Sequence, residues 1–403
     1  MGVFFFISNK IINAQNETKS MENVVTVLRE NGFENIRVAS KGKDLIVAYE
    51  NRVYRFEIDA VNELLKLINQ FTDGFQNVLL VPENRKIPLV VVKISTGDLK
   101  DYIDNKITPA ELGNLLITQI NTDEVWGVLQ KQDNINSSSA RFDVTVKPSF
   151  QFQFGPYSDP VLWQFNIVPG IRTSLWRGMH FDFETIIPLR NDLAPREDSV
   201  RTGLAVINQT FRLPDDYFIS SSIGYFSNYR YGFDFESRKY FDNGNSYLNF
   251  NFGCTSFATF AGKRLYYSDQ FTWTANANFN YRIPEYDLTV GIMAGRFLSG
   301  DNSIRFDIYR EFGEIEIGFF AIRSSDGISN GGINITVPLF PSEYWKPSVV
   351  RIRPDENFSF SYLVKTSPKD IIGLRYNTGN RLDVFDKNLN PDFIKNIFRQ
   401  NFK

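Results

Sequence analysis

Arg141 to Phe154 reads RFDVTVKPSFQFQF, in which Phe142, Val144, Val146, Pro148, Phe150, Phe152 and Phe154 alternate with polar residues. Successive side chains of an extended strand point to opposite sides, so this stretch predicts a ribbon with one apolar and one polar face. A soluble sandwich would bury the apolar face, whereas a membrane barrel would turn it to lipid. The same alternation marks WQFNIVPGI (163–171), MHFDFETIIPL (179–189) and FTWTANANFNY (271–281). Less regular strands are predicted over 204–213, 218–226, 231–240, 246–257, 288–295, 304–312, 314–322 and 333–340, about twelve in all between residues 141 and 340.

The first third of the chain follows another pattern. Ser20 is placed to cap a helix carrying Val24, Val27 and Leu28, and Asp59 to cap a second carrying Val61, Leu64, Leu65 and Ile68. Asn31-Gly32-Phe33-Glu34-Asn35-Ile36 and, 42 positions later, Asp73-Gly74-Phe75-Gln76-Asn77-Val78 are matching turns, each with glycine where a left-handed helix end needs one. Hairpins are predicted after each, across Lys41-Gly42-Lys43 and across Glu83-Asn84-Arg85, giving two tandem α-β-β units within residues 20–133. Asp133 to Ala140, DNINSSSA, reads as a polar linker. Residues 1–15 read either as the tail of a secretory signal peptide ending at Ala14-Gln15 or as a short buried strand, the signal being preferred. Residues 341–403 are a strand or tail region. Phe393, Ile394, Ile397 and Phe398 suit an amphipathic helix there, with a last strand ending near Phe402 as the rival.

The polar positions favour the membrane setting over a soluble sandwich. Between Gln270 and Arg282 they are Gln270, Thr272, Thr274, Asn276, Asn278, Asn280 and Arg282, where a water-facing surface would carry more Lys and Glu. The strands are long enough to cross a bilayer when tilted, and Trp163, Trp176, Trp273 and Tyr281 near their ends suit an aromatic girdle. Thirty-eight Phe and 18 Tyr in 403 residues also favour strands. The chain has 44 basic and 46 acidic residues, which gives no electrostatic case for nucleic acid. A mean hydropathy of −0.25 and the lack of a long apolar run argue against membrane helices. Single residues of Cys254 and His180 exclude an intramolecular disulfide and any multi-histidine metal site. No cofactor is expected.

Candidate chemistry lies on the polar faces. Inward-facing Arg141, Asp143, Lys147, Arg172, Arg305 and Asp307 would give a mixed-charge lumen that suits a polar solute. His180, Asp182 and Glu184 share one face of a strand. A hydrolytic site would need a serine beside His180, but lumen lining is the preferred account. Arg296 and Asp301 flank the turn Ser299-Gly300-Asp301-Asn302, where they would bind a sugar or partner or, as preferred, serve a tight turn with the arginine paired inside.

The segment Gly295-Arg296-Phe297-Leu298-Ser299-Gly300-Asp301, then GEIEIGFFAI, the glycine-rich residues 326–332 and INITVPL resemble the closing part of the YjbH/GfcD-type family of outer-membrane proteins of exopolysaccharide production. NGFENIRV (31–38) and AYENRVYR (48–55) resemble that family's N-terminal module. The resemblance implies a Gram-negative outer-membrane location and a non-enzymatic part in exopolysaccharide export or surface assembly. Its implied partners are membrane lipid, the polysaccharide and other export proteins of the periplasm or outer membrane. The expected architecture is α+β, a periplasmic α/β module (20–133) followed by a transmembrane antiparallel barrel (141–340). A general porin for polar solutes, a barrel-embedded hydrolase using His180 and a soluble carbohydrate-binding β protein are the alternatives.

Overall fold

A computed structural model describes residues 18–154, 160–193, 197–261, 264–365, 371–379, 382–383 and 389–400. The stretch read as a signal peptide lies outside them. The chain divides into two compact units, Met1–Ser138 with Asn388–Lys403, and Ser139–Lys387.

In the first unit, helix α1 (residues 18–30) leads into strands β1 (Glu34–Lys41) and β2 (Asp44–Glu50), and helix α2 (Glu57–Ile68) into β3 (Asn77–Asn84), β4 (Ile87–Pro88) and β5 (Val91–Ser95). Then come α3 (Thr96–Ile103), α4 (Pro109–Leu115), β6 (Ile117–Gln119) and α5 (Asp123–Leu129). The sheet order is β1-β2-β3-β5-β6, with β1/β2 and β3/β5 antiparallel and β2/β3 parallel, so the two expected α-β-β units lie side by side. Gly32 and Gly74 both have positive φ, 86° and 94°, as a left-handed helix end requires. Both capping assignments were displaced. Ser20 lies inside α1, and α2 begins at Glu57 after Phe56, leaving Asp59 in its first turn, where a carboxylate still favours the helix dipole. The second hairpin turns at Arg85-Lys86, one step beyond the expected tripeptide, with φ of 54° and 63°.

Both faces of this sheet are covered, which explains why β2 and β3 read as continuous apolar runs. Val24, Leu28, Val61, Leu64, Leu65 and Ile68 pack against Leu45, Val47, Val78 and Leu80, while Val125 and Leu129 cover Ile46, Ala48 and Val81. The tail is helical: α6 (Pro391–Arg399) places Phe393, Ile394, Ile397 and Phe398 in the first of these cores. It approaches α4 so closely that a Cβ on Gly113 would lie 2.8 Å from the Lys395 carbonyl oxygen. The segment expected to be a linker is pinned to this unit as well. Ile36 and Ile135 exchange backbone hydrogen bonds of 2.9 Å, and the Asn35 side chain donates to Ser138 Oγ at 2.8 Å.

The second unit is one fifteen-stranded sheet. Strands β7 (Phe142–Phe154), β8 (Val161–Thr173), β9 (Met179–Asn191), β10 (Arg201–Leu213), β11 (Tyr217–Phe226), β12 (Arg230–Phe241) and β13 (Ser246–Ala261) run antiparallel in chain order. They continue through β15 (Thr272–Ile283), β16 (Leu288–Arg296), β17 (Asn302–Phe312), β18 (Ile315–Ser324), β19 (Ser329–Pro338) and β21 (Asn357–Lys365). The short β14 (Arg264–Tyr267) extends β13, and β20 (Val350–Pro354) pairs parallel to β7. Each of the twelve expected strands has a counterpart; β14, β20 and β21 raise the count.

Among the described residues no ladder joins β21 to β7, and no closed hydrogen-bonded barrel is seen among them. The first half of β7 instead takes β20, while rings meet along the second half: Phe152 stacks on Phe360 at 5.2 Å and on Tyr362 at 5.0 Å. Pro148 fits this split. The Phe142 N–H donates to Val349 O and the Val146 carbonyl accepts from Asp355 N, so even-numbered residues of β7 direct their backbone groups away from β8. The N–H that Pro148 lacks would point towards an edge that β20, ending opposite Val146, does not reach. The β7/β8 ladder therefore runs from Phe142 to Phe154 without a bulge.

One buried acid in the first unit gives a pH-dependent stability. Burial, the largest cause, raises the Glu57 pKa from 4.5 to about 7, opposed in part by the 3.0 Å hydrogen bond from Asn51 Nδ2. Tyr49 is near enough to interact electrostatically, although no hydrogen bond of good geometry joins it to Glu57. The folded unit holds this proton more tightly than an unfolded chain does. Its contribution is therefore complete below about pH 4.5 and is lost as pH rises to about 7, at a cost on the order of 3 kcal/mol. Glu57→Gln is expected to flatten that slope, read as amide exchange of α2 and β2 in the full chain between those pH values. An unchanged slope would refute the assignment.

Candidate functional site

The alternation of the long strands orders the second unit with its polarity inverted. In β15, Thr274, Asn276, Asn280 and Arg282 are buried while Trp273, Phe279 and Tyr281 are exposed. In β17, Ser303 is buried while Ile304, Phe306 and Ile308 are exposed. Buried polar groups are costly unless hydrogen-bonded. Asn208 Nδ2 accordingly donates to Ser220 Oγ at 2.8 Å and to Ser222 Oγ at 2.9 Å, and Asn251 Nδ2 donates to both Asp234 carboxylate oxygens at 3.1 Å.

The charged candidates of β7 to β9 come together on this polar face. Register places Asp143 opposite Arg172 and Arg172 opposite Asp182. Arg172 donates to both oxygens of Asp355 at 2.7 and 3.0 Å and lies 3.5 Å from Asp182 and 3.4 Å from Glu184; Lys147 Nζ donates to Glu184 at 2.5 Å. Asp143 receives a two-pronged contact from Arg351 at 2.9 and 2.8 Å and a third bond from Arg353 at 3.0 Å. Arg351, Arg353 and Asp355 were missed because they fall in the region left as strand or tail. The signal was present in Val350-Arg351-Ile352-Arg353, whose apolar members are exposed and whose arginines are buried.

The remaining candidates are dispersed. His180, half-buried, stands opposite Asn208, while its strand neighbours Asp182 and Glu184 turn to Arg172 and Lys147. Arg141 is partly exposed at the start of β7. Arg305 and Asp307 pair with each other at 2.6 to 2.9 Å. Arg296 and Asp301 do not form a pair: the Arg296 guanidinium lies 4.6 Å over the Trp273 ring, and Asp301 accepts from Ser303 Oγ and from the Gly373 N–H.

That last contact belongs to a feature absent from the sequence reading. Residues 371–379 and 382–383 form a strap along the polar face of the sheet. Tyr376 Oη donates to Asp234 at 2.7 Å, the Leu382 N–H to Glu236 at 3.1 Å, and Arg238 pairs with Asp383 at 2.5 Å. Tyr376 also stacks on Phe226 at 5.4 Å. Gly253 makes room for the strap, since a Cβ there would lie 1.7 Å from the Tyr376 hydroxyl. The strap has no strand or helix period, so alternation could not reveal it.

Beside the strap is a cavity of about 360 Å³, bordered by Arg375 and Asp383 of the strap and by side chains of β12, β13 and β15 to β19. No group of three or more His, Cys, Asp or Glu among the described residues has an arrangement that could hold a metal ion.

Fold and site define a two-unit protein whose large antiparallel sheet encloses its polar face. The family model YjbH, described as exopolysaccharide biosynthesis protein YbjH, matches residues 8–212. The chain belongs to the YjbH family. Among solved structures it is similar to a loop L8 deletion mutant of OmpT, an outer membrane protein of Vibrio cholerae, at 7% identity and a TM-score of 0.27, over 48% of this chain and 85% of that one. That likeness is too low to speak to fold or function. No protein of curated function matches the chain.

Removing Arg172 would take the ion-pair partner from Asp182 and leave Glu184 and Asp355 to Lys147. Arg172→Met is expected to destabilise the second unit by about 3–5 kcal/mol, seen as a lower unfolding midpoint of the detergent-solubilised protein. A midpoint within error of the parent would show that the cluster is not held through Arg172.

Proposed function

We propose that this chain is an outer-membrane protein that takes part in exopolysaccharide export or surface assembly without catalysing a reaction. The observation that carries the reading is the continuous exposed apolar face. Phe306 is flanked by Ile292 and Ala321, and Ile308 by Val290 and Phe319, so apolar side chains on three adjacent strands form one patch. Soluble monomers rarely leave patches of this kind to water, whereas lipid solvates them at no cost. No described helix is long and apolar enough to cross a membrane. Membership of the YjbH family supplies the link to exopolysaccharide. The first unit, with its closed apolar cores, is read as a periplasmic docking module for export partners.

The polar face is then an interior path or its plug. The strap favours the plugged form over an open porin, because it uses hydrogen bonds of Asp234, Glu236 and Asp301 that an open lumen would leave to solvent.

The test is Phe306→Arg. In water this change at an exposed position would be nearly neutral, but on a lipid face near the bilayer midplane it costs about 2–4 kcal/mol. The expected result is loss of the heat-modifiable folded form and poor recovery in outer-membrane fractions, with reduced surface polysaccharide. A variant that folds normally and stays soluble without detergent would overturn the reading.

A further inference from the structure

We propose that the cavity of about 360 Å³ in the second unit binds a neutral saccharide unit of the polymer being handled. This rests on the reading of the chain as an exopolysaccharide protein and assigns that reading a recognition site. The volume falls in the range of about 300–1,000 Å³ typical of small-molecule sites.

The chemistry of the lining sets the ligand class. Four of its five acids have an arginine partner: Arg238 holds Glu236 at 3.1 Å and Asp383 at 2.5 Å, Arg305 holds Asp307 at 2.6 Å, and Arg282 pairs with Glu311. An ionic ligand would have to break those pairs. The side chains of Asn278, Asn280 and Asn334 also border the cavity, and none makes a hydrogen bond among the described residues. Each carboxamide offers two N–H donors and a carbonyl acceptor, which is the capacity that sugar hydroxyls, donors and acceptors at once, can satisfy. Tyr309 adds a ring to the lining, suited to the C–H face of a pyranose, while the Tyr247 ring already carries the Arg238 guanidinium at 4.3 Å.

The backbone makes room for this set. Cross-strand register runs from Asn249 to Asn278 to Met293, and in the neighbouring row from Asn280 to Gly291 to Asp307. A Cβ on Gly291 would lie 2.2 Å from Asn280 Oδ1, so the Asn280 amide occupies space that only glycine leaves open. Carboxamides left without a partner in the chain are open to a ligand or to water.

The experiment uses the full chain in detergent, with saturation-transfer NMR against neutral tetrasaccharides of glucose, galactose and mannose and against tetragalacturonate as a charged counterpart. At least one neutral tetrasaccharide is expected to bind at millimolar concentration or below, in preference to tetragalacturonate. Asn278→Leu with Asn280→Leu, and separately Asn334→Leu on another strand, should each weaken it about tenfold or more while keeping the heat-modifiable folded band. No neutral binding, preference for tetragalacturonate, or folded variants that bind as the parent does would overturn the proposal. If the variants still fractionate with the outer membrane and support surface polysaccharide, only the site has failed. If the parent chain is recovered soluble, the function reading has failed too.

Discussion

An antiparallel sheet that encloses its polar face must find partners for the charges and for most of the polar groups there, and much of the second unit follows from that requirement. Neutral residues manage it locally, as Asn208 does with Ser220 and Ser222 across one strand pair. Charged residues need a counterion, because an uncompensated buried charge costs several kcal/mol. Within β7 to β9 Lys147 meets Glu184 and Arg172 meets Asp182, while Asp143 takes Arg351 and Arg353 and Arg172 also takes Asp355 from beyond these strands. This accounts for the one parallel pairing in the sheet: β20 lies where its two arginines reach Asp143.

The strap follows the same logic further along the sheet. Asp234, Glu236 and Arg238 sit in the middle of β12, and Tyr376, the Leu382 N–H and Asp383 complete their bonding. Beside the strap, the lining of β13 to β19 keeps carboxamides around a cavity that no described residue satisfies. Structure and opportunity for binding thus grade into each other along one face, the difference being whether the chain itself supplies the last partner.

The strands were legible because the alternation has the same period whichever face is enclosed, and all twelve stretches read from it are strands. The enclosed face was legible too, from Asn and Thr where a water-facing strand would carry Lys and Glu. Partnerships across long sequence separations were not, since nothing local joins Asp143 to Arg351 or Asp234 to Tyr376. Arg296 and Asp301 were set together by proximity in sequence, but the turn sends one to Trp273 and the other to Gly373. In the first unit the helical period of α6 was visible, while its place in the core beside α4 depends on Gly113, far away in the chain. The N-cap of α2 is Phe56, three residues before the expected Asp59, because this helix begins without a side-chain cap.

The central claim is that the exposed apolar face meets lipid. Spin labels on single cysteines placed in turn from Ser303 to Ile308, in a chain with Cys254→Ser reconstituted in bilayers, test it most directly. The account predicts that labels at 304, 306 and 308 collide with oxygen dissolved in the lipid and not with a water-soluble nickel complex, while those at 303, 305 and 307 do not share that lipid signature. Nickel accessibility at 304, 306 and 308 in the folded protein would contradict it.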